Sequence, residues 1–285
     1  MQTGDVLTAG VYDLTSKRYD PKAKAFALDS PLPVMLGAGS ETGPGISLMD
    51  GRVIWFGASG HTCIYTPGAE GTNGTWVQGP DMPKLPNGDQ LTTADSSAIL
   101  EPNGGVFVVA QGSKTATLFI EYDPVVNGIT IVQGAPDGGN REYCRTLLLP
   151  NGHGFVSLST GSWYDVEFRA GAKPSWAPTI TSFPTTVTQN TTVTLAGTQL
   201  CGLSECQSYG DDNQQVENYP MVRLVDSKGG VTYVRAHDVS TRSIAPGQAG
   251  TVLVDIPASL APGTYTVHLV AMGIASAGIT VKVVT

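Results

Sequence analysis

Asp50-Gly51-Arg52-Val53-Ile54-Trp55-Phe56 is the stretch that decides the fold. A tight Asx-Gly turn opens directly into four apolar residues of high strand propensity. A further strand ends at Tyr65-Thr66-Pro67, and a more polar one follows at Thr75-Trp76-Val77-Gln78-Gly79-Pro80. Short runs of this kind, bounded by Gly, Pro, Asn and Asp, read as strands. The unit recurs. Its turns lie at Gly4-Asp5, Asp50-Gly51, Asn103-Gly104 and Asn151-Gly152. The strands after the turns are Val6-Leu7-Thr8-Ala9, Val53-Ile54-Trp55-Phe56, Val106-Phe107-Val108-Val109 and Phe155-Val156-Ser157-Leu158. The next strands end at Tyr19-Asp20-Pro21, Tyr65-Thr66-Pro67, Tyr122-Asp123-Pro124 and Tyr164-Asp165.

The turns are spaced by about 48 to 53 residues, close to the roughly 50 of a kelch blade. In such a repeat each unit is a small twisted sheet with both faces buried against its neighbours. The expected class is therefore all-β. A partial or small kelch-type β-propeller of about three to four blades spans residues 1–172, and an immunoglobulin-like β-sandwich spans residues 173–285. The first unit starts at its turn, with no room for an inner strand. The last, from about Tyr143 to Phe168, has three strands. These counts do not close a ring, and open sheet edges are a liability. Blades of a longer protein, or half of an assembly, are expected; a small closed ring is the alternative.

Composition narrows the function classes. The 285 residues carry a net charge of −8 and only 14% charged side chains. An acidic chain lacks the basic face that phosphate binding requires, so no nucleic-acid partner is expected. No apolar run reaches the roughly 18 residues of a membrane helix. Met1-Gln2-Thr3-Gly4-Asp5 does not read as a signal peptide. Cys201 and Cys206 are close enough in sequence for a small loop disulfide, or are two thiols.

Ala172-Lys173-Pro174-Ser175-Trp176-Ala177-Pro178 breaks the repeat and reads as a linker. About seven strands follow, from Thr179-Ile180-Thr181-Ser182 to Gly278-Ile279-Thr280-Val281-Lys282-Val283-Val284. That number in roughly 110 residues suits an immunoglobulin-like sandwich.

Ser208-Tyr209-Gly210-Asp211-Asp212-Asn213-Gln214, Asn218-Tyr219-Pro220-Met221-Val222-Arg223-Leu224 and Arg235-Ala236-His237-Asp238-Val239-Ser240-Thr241 resemble the C-terminal domain of galactose-oxidase-like kelch proteins. Trp176-Ala177-Pro178-Thr179-Ile180-Thr181 resembles the start of that domain. The resemblance implies an extracellular or cell-surface protein. It also implies a sandwich loop that reaches into the propeller channel. Copper-radical oxidases of the family use a Tyr-His pair from the last blade, a histidine from the sandwich loop and a cysteine-crosslinked tyrosine. Tyr143 matches the tyrosine of the pair, Cys144 stands in place of its histidine, and His237 matches the loop histidine. The crosslinked pair has no counterpart.

These departures lead to a non-catalytic binding or assembly protein, with a carbohydrate or protein ligand and no cofactor. Arg141, Tyr143 and His237 are the expected channel-lining set. A homo-oligomer, or a partner chain that completes the propeller, is expected. The alternatives are a divergent copper oxidase using Tyr143, Cys144 and His237, with Tyr143 catalytic, and an inactive fragment of a longer kelch protein. His61, His153 and His268 read as structural. Asp211, Asp212, Glu217 and Asp226 read as a solvated acidic turn in preference to a cation site.

Overall fold

Short β-prone runs joined by tight turns fold as up-and-down meanders, and four of these follow one another. The computed structural model describes residues 1–134, 138–209 and 219–285. Blade 1 holds β1 (Val6–Ala9), β2 (Ser16–Asp20) and β3 (Ala25–Leu28). Blade 2 holds β4 (Gly45–Ser47), β5 (Val53–Phe56), β6 (Thr62–Thr66) and β7 (Thr75–Gln78). Blade 3 holds β8 (Ser97–Leu100), β9 (Val106–Ala110), β10 (Leu118–Asp123) and β11 (Gly128–Gly134). Blade 4 holds β12 (Arg145–Leu148), β13 (Gly154–Ser157) and β14 (Trp163–Val166). Consecutive strands within each blade pair antiparallel. The described helical segments are two 3-10 turns, Arg141–Tyr143 and Pro174–Trp176. Among the described residues, no helix is long and apolar enough to cross a membrane.

One turn geometry is repeated in all four blades. Gly4, Gly51, Gly104 and Gly152 have φ of 91°, 89°, 92° and 88°, a left-handed conformation that side chains disfavour. Each donates its N–H to a carbonyl three residues back, on Met1, Leu48, Glu101 and Leu149, at 2.9–3.0 Å. The nitrogens of those same four residues donate to the carbonyls of Asp5, Arg52, Gly105 and His153. Met1, Leu48, Glu101 and Leu149 are therefore equivalent positions.

The blades bury their faces against each other in sequence. Val53, Trp55, Cys63, Tyr65 and Trp76 of blade 2 pack with Leu7 and Ala9 of blade 1. The opposite face of blade 2, with Ile46, Ile54, Phe56 and Ile64, packs on Val106, Val108, Ile120 and Tyr122 of blade 3. Ile99, Phe107, Val109 and Phe119 then meet Val156, Leu158 and Tyr164 of blade 4. Burial on both faces explains why Val53–Phe56 reads as a continuous apolar run without alternation.

The sandwich is built from β15 (Thr179–Ser182), β16 (Thr186–Thr188), β17 (Thr191–Thr198), β19 (Met221–Asp226), β20 (Val231–Val234), β21 (Ala236–His237), β22 (Ala249–Ile256), β23 (Gly263–Ala271), β24 (Ile274–Ala275) and β25 (Ile279–Val284). One sheet runs β15-β17-β22-β21. The other runs β16-β25-β23-β19-β20, with β24 paired to β23. Leu195, Val252 and Val254 of the first face Val222, Leu224, Val267 and Val281 of the second across one core.

The remaining strand, β18 (Gln207–Tyr209), leaves the sandwich and adds antiparallel to β8, the inner strand of blade 3. It also packs against β4 and β12, the inner strands on either side. Leu203, Cys206, Met272 and Ile274 of the sandwich part join the core between blades 2 and 3. The Ser204 hydroxyl donates to the Ser47 carbonyl at 2.7 Å, and the Leu100 N–H to the Cys206 carbonyl at 2.6 Å. Segment 200–209 thus fills the space between the inner strands. The small closed ring is not formed: among the described residues no hydrophobic cluster joins blade 1 to blade 4, and Phe26 and Trp163 on their outer faces are exposed.

Candidate functional site

The residues expected to line a channel do not converge. Arg141 and Tyr143 lie in the 3-10 turn ahead of β12. The Arg141 guanidinium donates to the Ala94 carbonyl at 2.6 Å, which ties this turn to the approach to blade 3. The Tyr143 ring is exposed. Cys144 is buried in the core between blades 3 and 4, and its thiol donates to the Asn140 carbonyl. Tyr143 ends the turn on the surface, and Cys144, its C-cap residue, enters the core.

His237 sits on β21 of the sandwich, bonded to Asp238 at 3.0 Å and Asp255 at 3.1 Å. Those two carboxylates, Asp255 foremost, hold its imidazolium above the ordinary range. Thr192 and His237 in turn hold Asp255 down to about 2. The sandwich loop that enters between the blades is the one carrying β18, while His237 pairs within its own sheet. Tyr143, Cys144 and His237 therefore do not form a ligand set. Among the described residues, no group of three or more His, Cys, Asp or Glu side chains is arranged to hold a metal ion.

The other histidines have local partners. His61 bonds Asp81 at 2.8 Å, His153 bonds Asp165 at 2.9 Å, and His268 bonds the Ser276 carbonyl at 2.9 Å. Cys201 and Cys206 are both buried thiols. Cys201 donates to the Thr241 carbonyl and Cys206 to the Ser204 carbonyl, so the small loop disulfide is not formed. Burial pushes Cys201 up to about 11, the opposite of what a reactive thiolate needs. Asp226 caps its own hairpin turn through the N–H groups of Lys228 and Gly230. Asp211, Asp212 and Glu217 lie outside the described residues.

The fold also assembles an acidic cluster that linear spacing concealed. Glu101 directly follows β8, the inner strand of blade 3, and is buried, with Asn103 donating to one carboxyl oxygen at 2.8 Å. Its other oxygen is buried without a partner. Burial, reinforced by Glu121 and Asp123, pushes its pKa up to about 7. Arg169 bonds Glu121 on the rim of an adjoining cleft lined by Asn103, Glu121, Asp123 and Arg169. Glu101 and Glu121 lie 20 residues apart in sequence and on different strands, so only the meander brings them together.

The two end faces are the largest departure from a satisfied surface. Tyr19 and Phe26 pack ring to ring at 5.0 Å on the outer face of blade 1, as Tyr65 and Trp76 do at 5.0 Å on blade 2. The blade 2 pair is sealed beneath blade 1, whereas Phe26 is 62% exposed. On blade 4, Phe155 and Trp163 stack at 5.9 Å beside Leu147, and Trp163 is 66% exposed. The turn equivalences place Leu147 and Phe155 where blade 2 has Ile46 and Ile54, buried against blade 3.

A cavity of about 480 Å³ lies between blades 1 and 2, lined by Val6, Leu7, Ala9, Val53 and Trp55, with Asp5 and Glu205 at its edge.

No family model and no curated protein matches this chain. Solved structures with some likeness include AofleA from Arthrobotrys oligospora, at 11% identity and a TM-score of 0.33 over 95% of this chain and 82% of that one. A triple arginine mutant of AofleA gives 0.35 at the same identity and coverage. PorZ, a bacterial surface component of the type-IX secretion system of Porphyromonas gingivalis, gives 0.31 at 12% identity over 99% of this chain, which spans 44% of PorZ. Likenesses this faint carry no argument about what this chain binds or does.

Proposed function

We propose that this chain is a non-catalytic assembly protein. Its scaffold is read as galactose-oxidase-like: kelch-type blades over residues 1–172 and an immunoglobulin-like sandwich over residues 173–285. A second copy covers its end blades. The observation that carries the reading is the pair of apolar end faces. Val6, Tyr19 and Phe26 occupy the positions that Val53, Tyr65 and Trp76 hold in blade 2, where a preceding blade covers them. Leu147, Phe155 and Trp163 occupy the positions of residues that a following blade covers. The blade 4 face of one copy is therefore chemically suited to the blade 1 face of the other. Two such head-to-tail contacts close an assembly without leaving a free end.

Native mass spectrometry at micromolar concentration tests the assembly. The chain is expected to be dimeric. Trp163→Asp places a charge at the centre of the contact and is expected to weaken it roughly a hundredfold or more. A chain that stays monomeric over the accessible concentration range, with no change on Trp163→Asp, rules the reading out.

A further inference from the structure

We propose that the junction of β18 with blades 3 and 4 is a buried water site, where ordered water held by Gln207 and Thr146 ties the inserted strand to blade 4. The site lies at the inner edges of the blades and is independent of the two end faces.

Three buried polar atoms define it. Gln207 is 1% exposed and Thr146 is 3% exposed. Among the described residues, the amide nitrogen and the amide oxygen of Gln207 and the hydroxyl of Thr146 have no hydrogen-bond partner. Buried polar groups are nearly always satisfied, so three such atoms in one junction call for a physical reason.

Strand register puts the two side chains on facing surfaces. Gln207 lies directly opposite Ile99 in the β18–β8 pairing, and Thr146 directly opposite Val156 in the β12–β13 pairing. Directly opposite residues of an antiparallel pair project to the same face of their sheet. Ile99 and Val156 belong to one apolar cluster, the core between blades 3 and 4. Gln207 therefore projects from blade 3 towards blade 4, and Thr146 projects from blade 4 back towards blade 3. β18 and β12 pack against each other, so both side chains enter the inner end of the same junction.

The junction lacks a backbone tie. Among the described residues β18 pairs with β8 and forms no ladder with β12. At its outer rim the Tyr209 hydroxyl donates to the Glu142 carbonyl, and the Arg145 guanidinium lies over the Tyr209 ring. Two residues further in stands Gln207, where only side chains can span from β18 to blade 4.

The chemistry of the occupant follows from the three atoms. An amide brings donors and an acceptor, and a hydroxyl brings one of each. Neither side chain is charged, and the adjoining cluster of Ile99, Phe107 and Val156 is apolar, so an ion would enter without a counter-charge at high cost. A neutral molecule that donates and accepts at once fits, and water is small enough for a close-packed core. Internal waters typically make about three hydrogen bonds to buried groups that otherwise lack partners.

Urea unfolding of Gln207→Met, Thr146→Val and the double variant tests the site. Both replacements keep the approximate shape and remove the polar atoms. With water between the two side chains, each single variant leaves that water and the remaining partner short of a hydrogen bond. Each midpoint is expected to fall by roughly half a molar. The double variant is expected to lose clearly less than the sum, because both changes act on the same water. If the atoms are simply unpaired, removing them relieves a burial cost instead. A midpoint that rises in either single variant, or losses that add, overturns the proposal. Should a variant fail to fold, a crystal structure of the unaltered chain decides. Water density is expected within roughly 3 Å of both the Gln207 amide and the Thr146 hydroxyl. A direct bond between the two side chains, or no density between them, overturns the site.

Discussion

Replacing Asp29 by alanine is expected to cost roughly 3–5 kcal/mol of folding stability, the range for removing one partner of a buried charged network. Asp29 follows β3 and its side chain is fully buried. It accepts from the Ser30 N–H at 2.7 Å, the Gly74 N–H at 2.9 Å and the Tyr65 hydroxyl at 2.8 Å, with the Arg18 guanidinium 3.6 Å away. One carboxylate thus joins two strands of blade 1 to two segments of blade 2. Alanine leaves the Tyr65 hydroxyl and the Gly74 N–H without their acceptor, and the Arg18 guanidinium keeps only Asp5. Burial and the Asp29 charge already push the Tyr65 hydroxyl well above its ordinary range, so that proton stays on the ring. Asp29→Asn keeps an acceptor oxygen and is expected to lose less. Urea denaturation checks both. A loss under about 1 kcal/mol for alanine would mean that the network is dispensable and that apolar packing alone joins the blades.

Replacing Glu101 by glutamine is expected to stabilise the protein at pH 8 and to do little at pH 4. Burial raises the Glu101 carboxyl from 4.5 to about 7 in the folded state, while the unfolded chain retains the ordinary value. A raised carboxyl pKa favours folding while the group is protonated. That contribution is fully present below about 4.5 and is lost as the pH rises through 7. A shift of this size corresponds to roughly 3 kcal/mol once both states are ionised. Glutamine removes the ionisation and still accepts from Asn103. The wild-type midpoint in urea is therefore expected to fall between pH 4.5 and 8, and the Glu101→Gln midpoint to stay flatter over that window. Parallel curves for the two proteins would place the raised carboxyl elsewhere.

Much of the candidate surface was legible in the linear chain, and the failures have a common cause. The aromatic residues that close the third strands, Tyr19, Tyr65, Tyr122 and Tyr164, were visible as a repeat, and they mark the backward face of every blade. The last unit's three strands were also visible, and they leave Trp163 uncovered. Glu101 and Glu121 were not legible as a pair, because their meeting depends on strand register within blade 3. His237 was placed in a channel by resemblance. The structure ties it instead to Asp255 across the β21–β22 ladder, and a different loop enters between the blades. The strands not singled out in the sequence, β16, β18, β21 and β24, are each two or three residues long, so they carry little periodic signal.

By itself the sequence determined the class of fold, the turn positions, the blade order and the strands of the sandwich core. These are local properties: glycines with positive φ, β-prone runs and Pro-rich breaks act within a few residues of where they stand. Only the tertiary structure decided that segment 200–209 adds a strand to blade 3, and that Cys144 is core while Tyr143 is surface. Each of these depends on which distant segment lies alongside, and strand pairing between segments over a hundred residues apart leaves no mark on either one alone.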